Sequence, residues 1–273
     1  MTQSVPRILV DADAIVAAGF GTSGAFRHLL REAADRRVEL IVPEAAVAEA
    51  MFVLRRRLQH HRKALRELPS LLHATGSTVE LNPEVLVGLA EGRFRRDLAG
   101  AGVAPVSAPR VDLNDLVRRI LERRKPTKAL EHDDKGNEKP DQREGFRDQL
   151  LWAHVRAAAE DGALIFVSNN TRDFADRDTV ADGRAELHED LVADLEADRR
   201  EGGSHGDVTL VLDIETLAQD FLQDEDLLAD VEKLLDGDAG SELRRVIDQH
   251  VNERGVVMDE FVPEDRGCPI FCV

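Results

Sequence analysis

The sequence predicts an α/β protein: a doubly wound parallel sheet of the Rossmann-type three-layer kind, followed by a C-terminal helical extension. Three observations carry this expectation. Short branched apolar runs recur at 7–11 (RILVD), 38–42 (VELIV), 163–168 (ALIFVS) and 208–213 (VTLVLD), the pattern of strands buried on both faces. Segments with apolar residues at helical spacing lie between them. Strands alternating with helices require right-handed crossovers, and these build a parallel sheet.

The elements follow in order. After the first strand, 22–35 reads as a helix with Phe26, Leu29, Leu30 and Ala33 on one face. Pro43 stops the second strand, and 44–68 reads as one long helix. Residues 78–81 predict a further strand, and 83–92 and 113–122 predict helices. The second of these carries Leu113, Leu116, Val117, Ile120 and Leu121 on one face. The polar stretch 125–143, with Pro and Gly, reads as a loop of unusual length, a sign of function or disorder. A helix at 146–159 precedes the 163–168 strand, and a helix at 215–222 follows the last one. From Asp224 the chain turns acidic but keeps a helical stripe (Leu227, Leu228, Val231, Leu234, Leu235). The expected organisation is therefore a domain over 1–223 and an acidic helical extension over 224–273.

Composition narrows the function. No run reaches the ~20 apolar residues of a membrane-spanning helix, and the chain passes directly from Arg7 into the first strand, with no secretory leader. Two cysteines, Cys268 and Cys272, are too few for a disulfide framework or a four-cysteine zinc site. A cytoplasmic protein without a membrane partner is the expectation. Net charge is −17, from 36 Lys and Arg against 53 Asp and Glu, whereas nucleic-acid binders are usually basic. The positive charge is concentrated locally, however. Residues 55–66 (RRRLQHHRKALR) hold six Lys or Arg and no acid, and 118–128 (RRILERRKPTK) hold six and one acid. Arg55, Arg56, Arg62, Arg123, Arg124 and Lys125 are the candidate phosphate-backbone contacts; the competing reading is two solvated helix faces.

In an open parallel sheet, ligands bind beyond the carboxyl ends of the strands. Asp11 ends the first strand, and Ser168 ends the 163–168 strand, followed by Asn169, Asn170 and Asp173. Glu49 lies about one and a half turns into the helix after Pro43. Asp148 starts the 146–159 helix. Singly, each is more readily a turn former, a helix cap or a solvated residue. Together, four carboxylates from distant segments can meet on one sheet edge. Crowded carboxylates raise one another's pKa, and cations relieve them. Oxygen-only ligands suit Mg²⁺ or Mn²⁺ rather than zinc, and such ions serve phosphodiester hydrolysis.

The motifs ILVDADAIV (8–16), VPEAAVAE (42–49), GFRDQLLW (145–152) and FVSNNTRDF (166–174) resemble, in order, the four acidic motifs of the PIN-domain nucleases. The last two, with LHEDL (187–191), are most similar to a bacterial group of PIN-like proteins with long insertions. The resemblance spans 7–222 and implies a PIN-like fold. It also implies that Asp11, Glu49, Asp148 and Asp173 are the catalytic and metal-ligating acids, with Ser168 and Asn170 in support. Asp13 stands where Asn or Ser is commoner, a candidate fifth carboxylate. The implied activity is a Mg²⁺- or Mn²⁺-dependent endoribonuclease of toxin or defence type, with RNA as substrate and a second copy or an antitoxin-like protein as partner.

Two other functions compete. One is a catalytically quiet PIN-like scaffold. The other is a phosphatase of similar topology, suggested by the Asp11–Asp13 spacing and opposed by the lack of a lysine in FVSNNTRDF. The glycines of GFGTSG (19–24) lack the Lys and Ser/Thr of a P-loop and read as a strand-to-helix connection. Trp152, the only tryptophan, reads as core.

Overall fold

A computed structural model describes residues 5–61, 82–127, 145–201 and 205–222. The expected strand at 78–81, residues 128–143 of the expected loop, the 62–68 end of the expected long helix (with Arg62) and the 224–273 extension lie outside the described residues.

Five strands form one mixed, mostly parallel sheet: β1 (Arg7–Val10), β2 (Glu39–Ile41), β3 (Leu164–Val167), β4 (Arg184–Ala185) and β5 (Val208–Val211), in the order β2-β1-β3-β5-β4. β1 lies parallel to β2 and β3, with Leu9 opposite Ile41 on one side and Phe166 on the other. β3 lies parallel to β5. Only β4 runs antiparallel, pairing Arg184 with Val211, so the sheet is mixed where an all-parallel one was expected. Two-residue β4 lacks any apolar run, and its signal in the sequence was correspondingly absent.

Nine helices are seen among the described residues, in keeping with a three-layer α/β fold: α1 (Ala12–Ala17), α2 (Gly24–Ala34), α3 (Glu44–His60), α4 (Pro83–Gly100), α5 (Leu113–Leu121), α6 (Phe146–Ala159), α7 (Thr171–Phe174), α8 (Glu189–Arg200) and α9 (Ile214–Leu222). α4 runs eight residues beyond its expected end because Phe94 and Leu98 continue the buried face across Gly92. α1 was not expected. The Asp11 carboxylate accepts the Ala12 N–H and starts this helix directly at the strand end.

Ile8, Leu9 and Val10 are fully buried, so β1 is covered on both faces. Alternation sends Leu9, Phe166 and Leu210 into one core, which they share with Trp152 and Val155 of α6, Phe174 of α7 and Leu191 and Leu195 of α8. Phe166 and Phe174 meet edge to face, 5.0 Å between ring centroids. Phe26 of α2 and Phe94 of α4 pack at 5.6 Å in a second contact.

GFGTSG joins α1 to α2 rather than a strand to a helix. Gly21 has φ of +79°, and a Cβ there would stand 2.7 Å from the Phe94 ring. Backbone conformation and packing therefore explain this glycine without a phosphate.

Candidate active site

The chain passes from β1 to β2 on one side and then crosses back to β3 on the other. The crevice between β1 and β3 is the switch point at which such sheets bind ligands. Asp11 and Ser168 face each other across it. The Asp11 N–H donates to the Val167 carbonyl at 3.0 Å, and the Ser168 hydroxyl donates to Asp11 Oδ2 at 2.7 Å. Both residues are buried. Ser168 Oγ also accepts the Asn170 N–H at 3.2 Å, which holds the following turn against β1's end.

Asp173 enters from that turn. As part of α7 it is buried, and the Asn170 side-chain amide donates to its Oδ2 at 3.0 Å instead of capping the helix. Its other oxygen, Oδ1, is buried and has no hydrogen-bond partner. Lys125 Nζ stands 3.9 Å from it.

Asp148 occupies the first turn of α6, whose N-cap, Gly145, makes no side-chain capping bond. Glu49 lies on α3, partly exposed and paired with Arg147. With Asp11 they line a cleft of about 50 Å³ between the start of α3 and one face of α6, which also includes Pro43, Ala46, Leu151 and His154.

The structure therefore brings four carboxylates from four segments to the carboxyl edge of the sheet, and their ionisation reflects it. Burial, and then the charges of Asp173, Asp11 and Glu49, push the Asp148 carboxyl up to about 8, against a smaller opposing pull from Arg147. Asp11 rises to about 7. Burial is the chief cause, resisted by the Ser168 hydroxyl and the Ala12 N–H and reinforced by Asp13 and Glu49. Asp13 is exposed on the first turn of α1, so it acts on this edge through its charge. Such a site is short of positive charge.

The donor set fits a hard divalent cation. It is all carboxylate oxygen, two of its members are pushed toward the protonated form by burial and by neighbouring acids, and one buried oxygen lacks a hydrogen-bond partner. As the side chains stand, no group of three or more His, Cys, Asp or Glu among the described residues is already gathered around one ion-sized point.

Two neighbours of the cluster, Arg147 and His154, were not singled out by sequence reasoning, and a third, Lys125, was assigned a different role. Arg147 adjoins Asp148 in the GFRDQLLW motif, yet nothing local to the sequence pairs it with Glu49, 98 positions away. His154 is buried beside the cleft with Nε2 unpartnered, and burial lowers its pKa, favouring the neutral ring. Its spacing from Arg147, two helical turns, was the available signal. Lys125 was read as a phosphate contact but reaches Asp173.

The other expected phosphate contacts divide. Arg55 pairs with Glu84 at 3.0 Å on the surface. Arg56 lines a surface groove with Arg57, Gln59, His60 and His61. Arg124 is drawn inward, 2.7 Å from buried Asp194. Arg123 takes a left-handed backbone conformation in the turn after α5. Trp152, as expected, is core, and its indole N–H donates to Asp194 at 2.9 Å.

No family model, curated protein or solved structure matches the chain. No helix among the described residues is long and apolar enough to cross a membrane.

Proposed function

We propose that this protein is a PIN-like, divalent-metal-dependent nuclease that hydrolyses phosphodiester bonds, with RNA as its substrate. The observation that carries the reading is the meeting of Asp148 with Asp11, Glu49 and Asp173, acids 137, 99 and 25 residues away in sequence, which line one cleft with it or raise its pKa through their charge. Burying Asp11 and Asp173 and crowding half-buried Asp148 and Glu49 beside them costs free energy that a fold does not spend on packing alone.

In this reading Asp11, Glu49, Asp148 and Asp173 hold Mg²⁺ or Mn²⁺. When bound, the ion supplies positive charge against the phosphate and lowers the pKa of the attacking water. The chain's own residues set up the site. Ser168 and Asn170 fix the Asp11 and Asp173 carboxylates. Asp13 adds negative charge at the rim. The basic surface of α3, with Arg56 and Arg57, engages phosphates beyond the site.

A second reading has one observation in its favour. Lys125 and Arg147 already stand against Asp173 and Glu49, as they would in a catalytically quiet scaffold. A cleavage assay separates the two. The wild-type protein, with Mn²⁺ or Mg²⁺ and an end-labelled single-stranded RNA, is expected to cut, and excess EDTA or Asp148→Asn to abolish cutting. Metal-independent cleavage, or full activity in Asp148→Asn, overturns the nuclease mechanism proposed here. A folded wild type that cuts neither RNA nor DNA supports the scaffold.

A further inference from the structure

Lys125 is held in place with more care than a surface lysine needs. Its carbonyl accepts from Arg119 at 3.2 Å, and its N–H donates to Asp190 at 3.2 Å. On either side, Gln149 Nε2 donates to the Arg124 carbonyl at 2.8 Å and to Thr127 Oγ1 at 3.0 Å. Arg119 and Gln149 are themselves buried and joined at 2.9 Å, and Arg119 also binds buried Asp194. A network rooted in three helices thus fixes the turn after α5.

That turn delivers the ammonium to the acidic edge. The Lys125 side chain is only 16% exposed, and Nζ donates to the Arg172 carbonyl at 2.7 Å. It stops 3.9 Å from Asp173 Oδ1, within ion-pair range but too far for a hydrogen bond. Asp173 Oδ1 is the buried oxygen without a hydrogen-bond partner. The Arg147–Glu49 pair across the cleft is different in kind, because its arginine is half exposed and solvent screens it.

We propose that Lys125 is the resident counter-cation of the acidic site, neutralising Asp173 in the metal-free protein and competing with the incoming divalent ion for that carboxylate. This rests on the metal-nuclease reading above. It has a consequence that a phosphate-binding lysine or a structural lysine does not share: removing the ammonium tightens metal binding while weakening the metal-free fold. The charge left on Asp173 repels its neighbours until a cation arrives.

The test is Mn²⁺ titration by calorimetry of the full-length wild type, Lys125→Met, Lys125→Gln and Asp173→Asn, with thermal unfolding in EDTA and in saturating Mn²⁺. Lys125→Gln keeps a donor for the Arg172 carbonyl and stands in if the methionine variant does not fold. Arg177→Met removes a nearby exposed charge as a control. The expected result is at least fivefold tighter Mn²⁺ binding in the Lys125 variants and less than a twofold change in Arg177→Met. The Lys125 variants should also melt lower in EDTA, with the deficit closing in Mn²⁺. Equal or weaker Mn²⁺ binding in the Lys125 variants overturns the proposal, as does an equal gain in Arg177→Met. If wild type binds Mn²⁺ and Asp173→Asn weakens it, those outcomes leave the metal site standing and remove only the role of Lys125. If wild type and all variants bind no Mn²⁺, the metal reading falls, and this proposal with it.

Discussion

Replacing Asp148 by Asn should stabilise the metal-free protein, and by an amount that depends on pH. Burial and three neighbouring acids push its carboxyl from the ordinary 3.8 up to about 8 in the folded protein. The unfolded chain releases that proton near the ordinary value, so between pH 4 and 8 the native state holds a proton that the unfolded state has lost. Where the native state binds more protons, stability falls as pH rises, at about 1.4 kcal/mol per unit for one group. At pH 7, roughly three units above the ordinary value, the cost approaches about 4 kcal/mol. Asparagine has the same shape and no proton to manage, so the variant escapes this cost. Asp11, itself raised to about 7, shares the titration, and the pair divides the effect. The expected gain at pH 7 in EDTA is therefore about 1–4 kcal/mol, at about 2–4 °C of melting temperature per kcal/mol for a chain of this size. It should vanish at pH 3, where both forms are neutral, and grow steadily toward pH 8. Urea denaturation of both proteins at several pH values measures it. An equal gain at pH 3 and pH 7, or a less stable variant at pH 7, refutes the electrostatic reasoning.

Three further outcomes follow from the same geometry. Ser168→Ala removes a buried donor from Asp11, at a cost of about 1.5–3 kcal/mol at pH 8. It raises the Asp11 pKa further, so the cost should shrink at pH 5, where Asp11 holds its proton; an equal cost at both pH values by urea denaturation contradicts the assignment. Asp194→Ala leaves Arg119 buried without its carboxylate, and a loss of about 3–5 kcal/mol is expected; a loss under about 1 kcal/mol on the same scale shows that the network holds nothing in place. The triple change of Arg55, Arg56 and Arg62 to Glu should weaken single-stranded RNA binding across sequences and flatten its salt dependence, by roughly 0.7 in log–log slope per lost phosphate contact. An unchanged slope assigns residues 55–66 to solvated helix surface.

Much of this was legible in the sequence, for identifiable reasons. β1 and β3 are branched apolar runs buried on both faces, which no exposed helix would carry, and β5 ends in buried Leu210 and Val211. α6 was bounded correctly at 146 and 159, with Gly145 before it and Gly162 soon after its end. The edge where the acids meet follows from strand direction alone, because parallel strands put their carboxyl ends together. What escaped were the elements without an apolar signature. β4 has two residues and borrows its stability from β5. α7 is a four-residue turn shaped by Asn170, whose amide bonds Asp173 rather than the backbone. α8 has charged residues through most of its length, so Leu191 and Leu195 show as a stripe only once the core is known. The cations fared worst. Charge density marked 118–128 as a surface for phosphate, whereas burial turned Arg119 and Arg124 onto Asp194 and Lys125 onto Asp173. Long-range pairing of this kind leaves no local pattern.

The most direct test of the metal-site claim is a crystal of the wild-type protein grown at neutral pH with millimolar Mn²⁺, measured at a wavelength where manganese scatters anomalously. An anomalous peak is expected in the crevice beyond β1 and β3, within coordination distance of carboxylate oxygens from Asp11, Asp148 and Asp173. The same peak should be missing from Asp148→Asn crystals grown identically. Manganese peaks confined to other surfaces, with Asp11, Asp148 and Asp173 left bare in well-defined density, would contradict it.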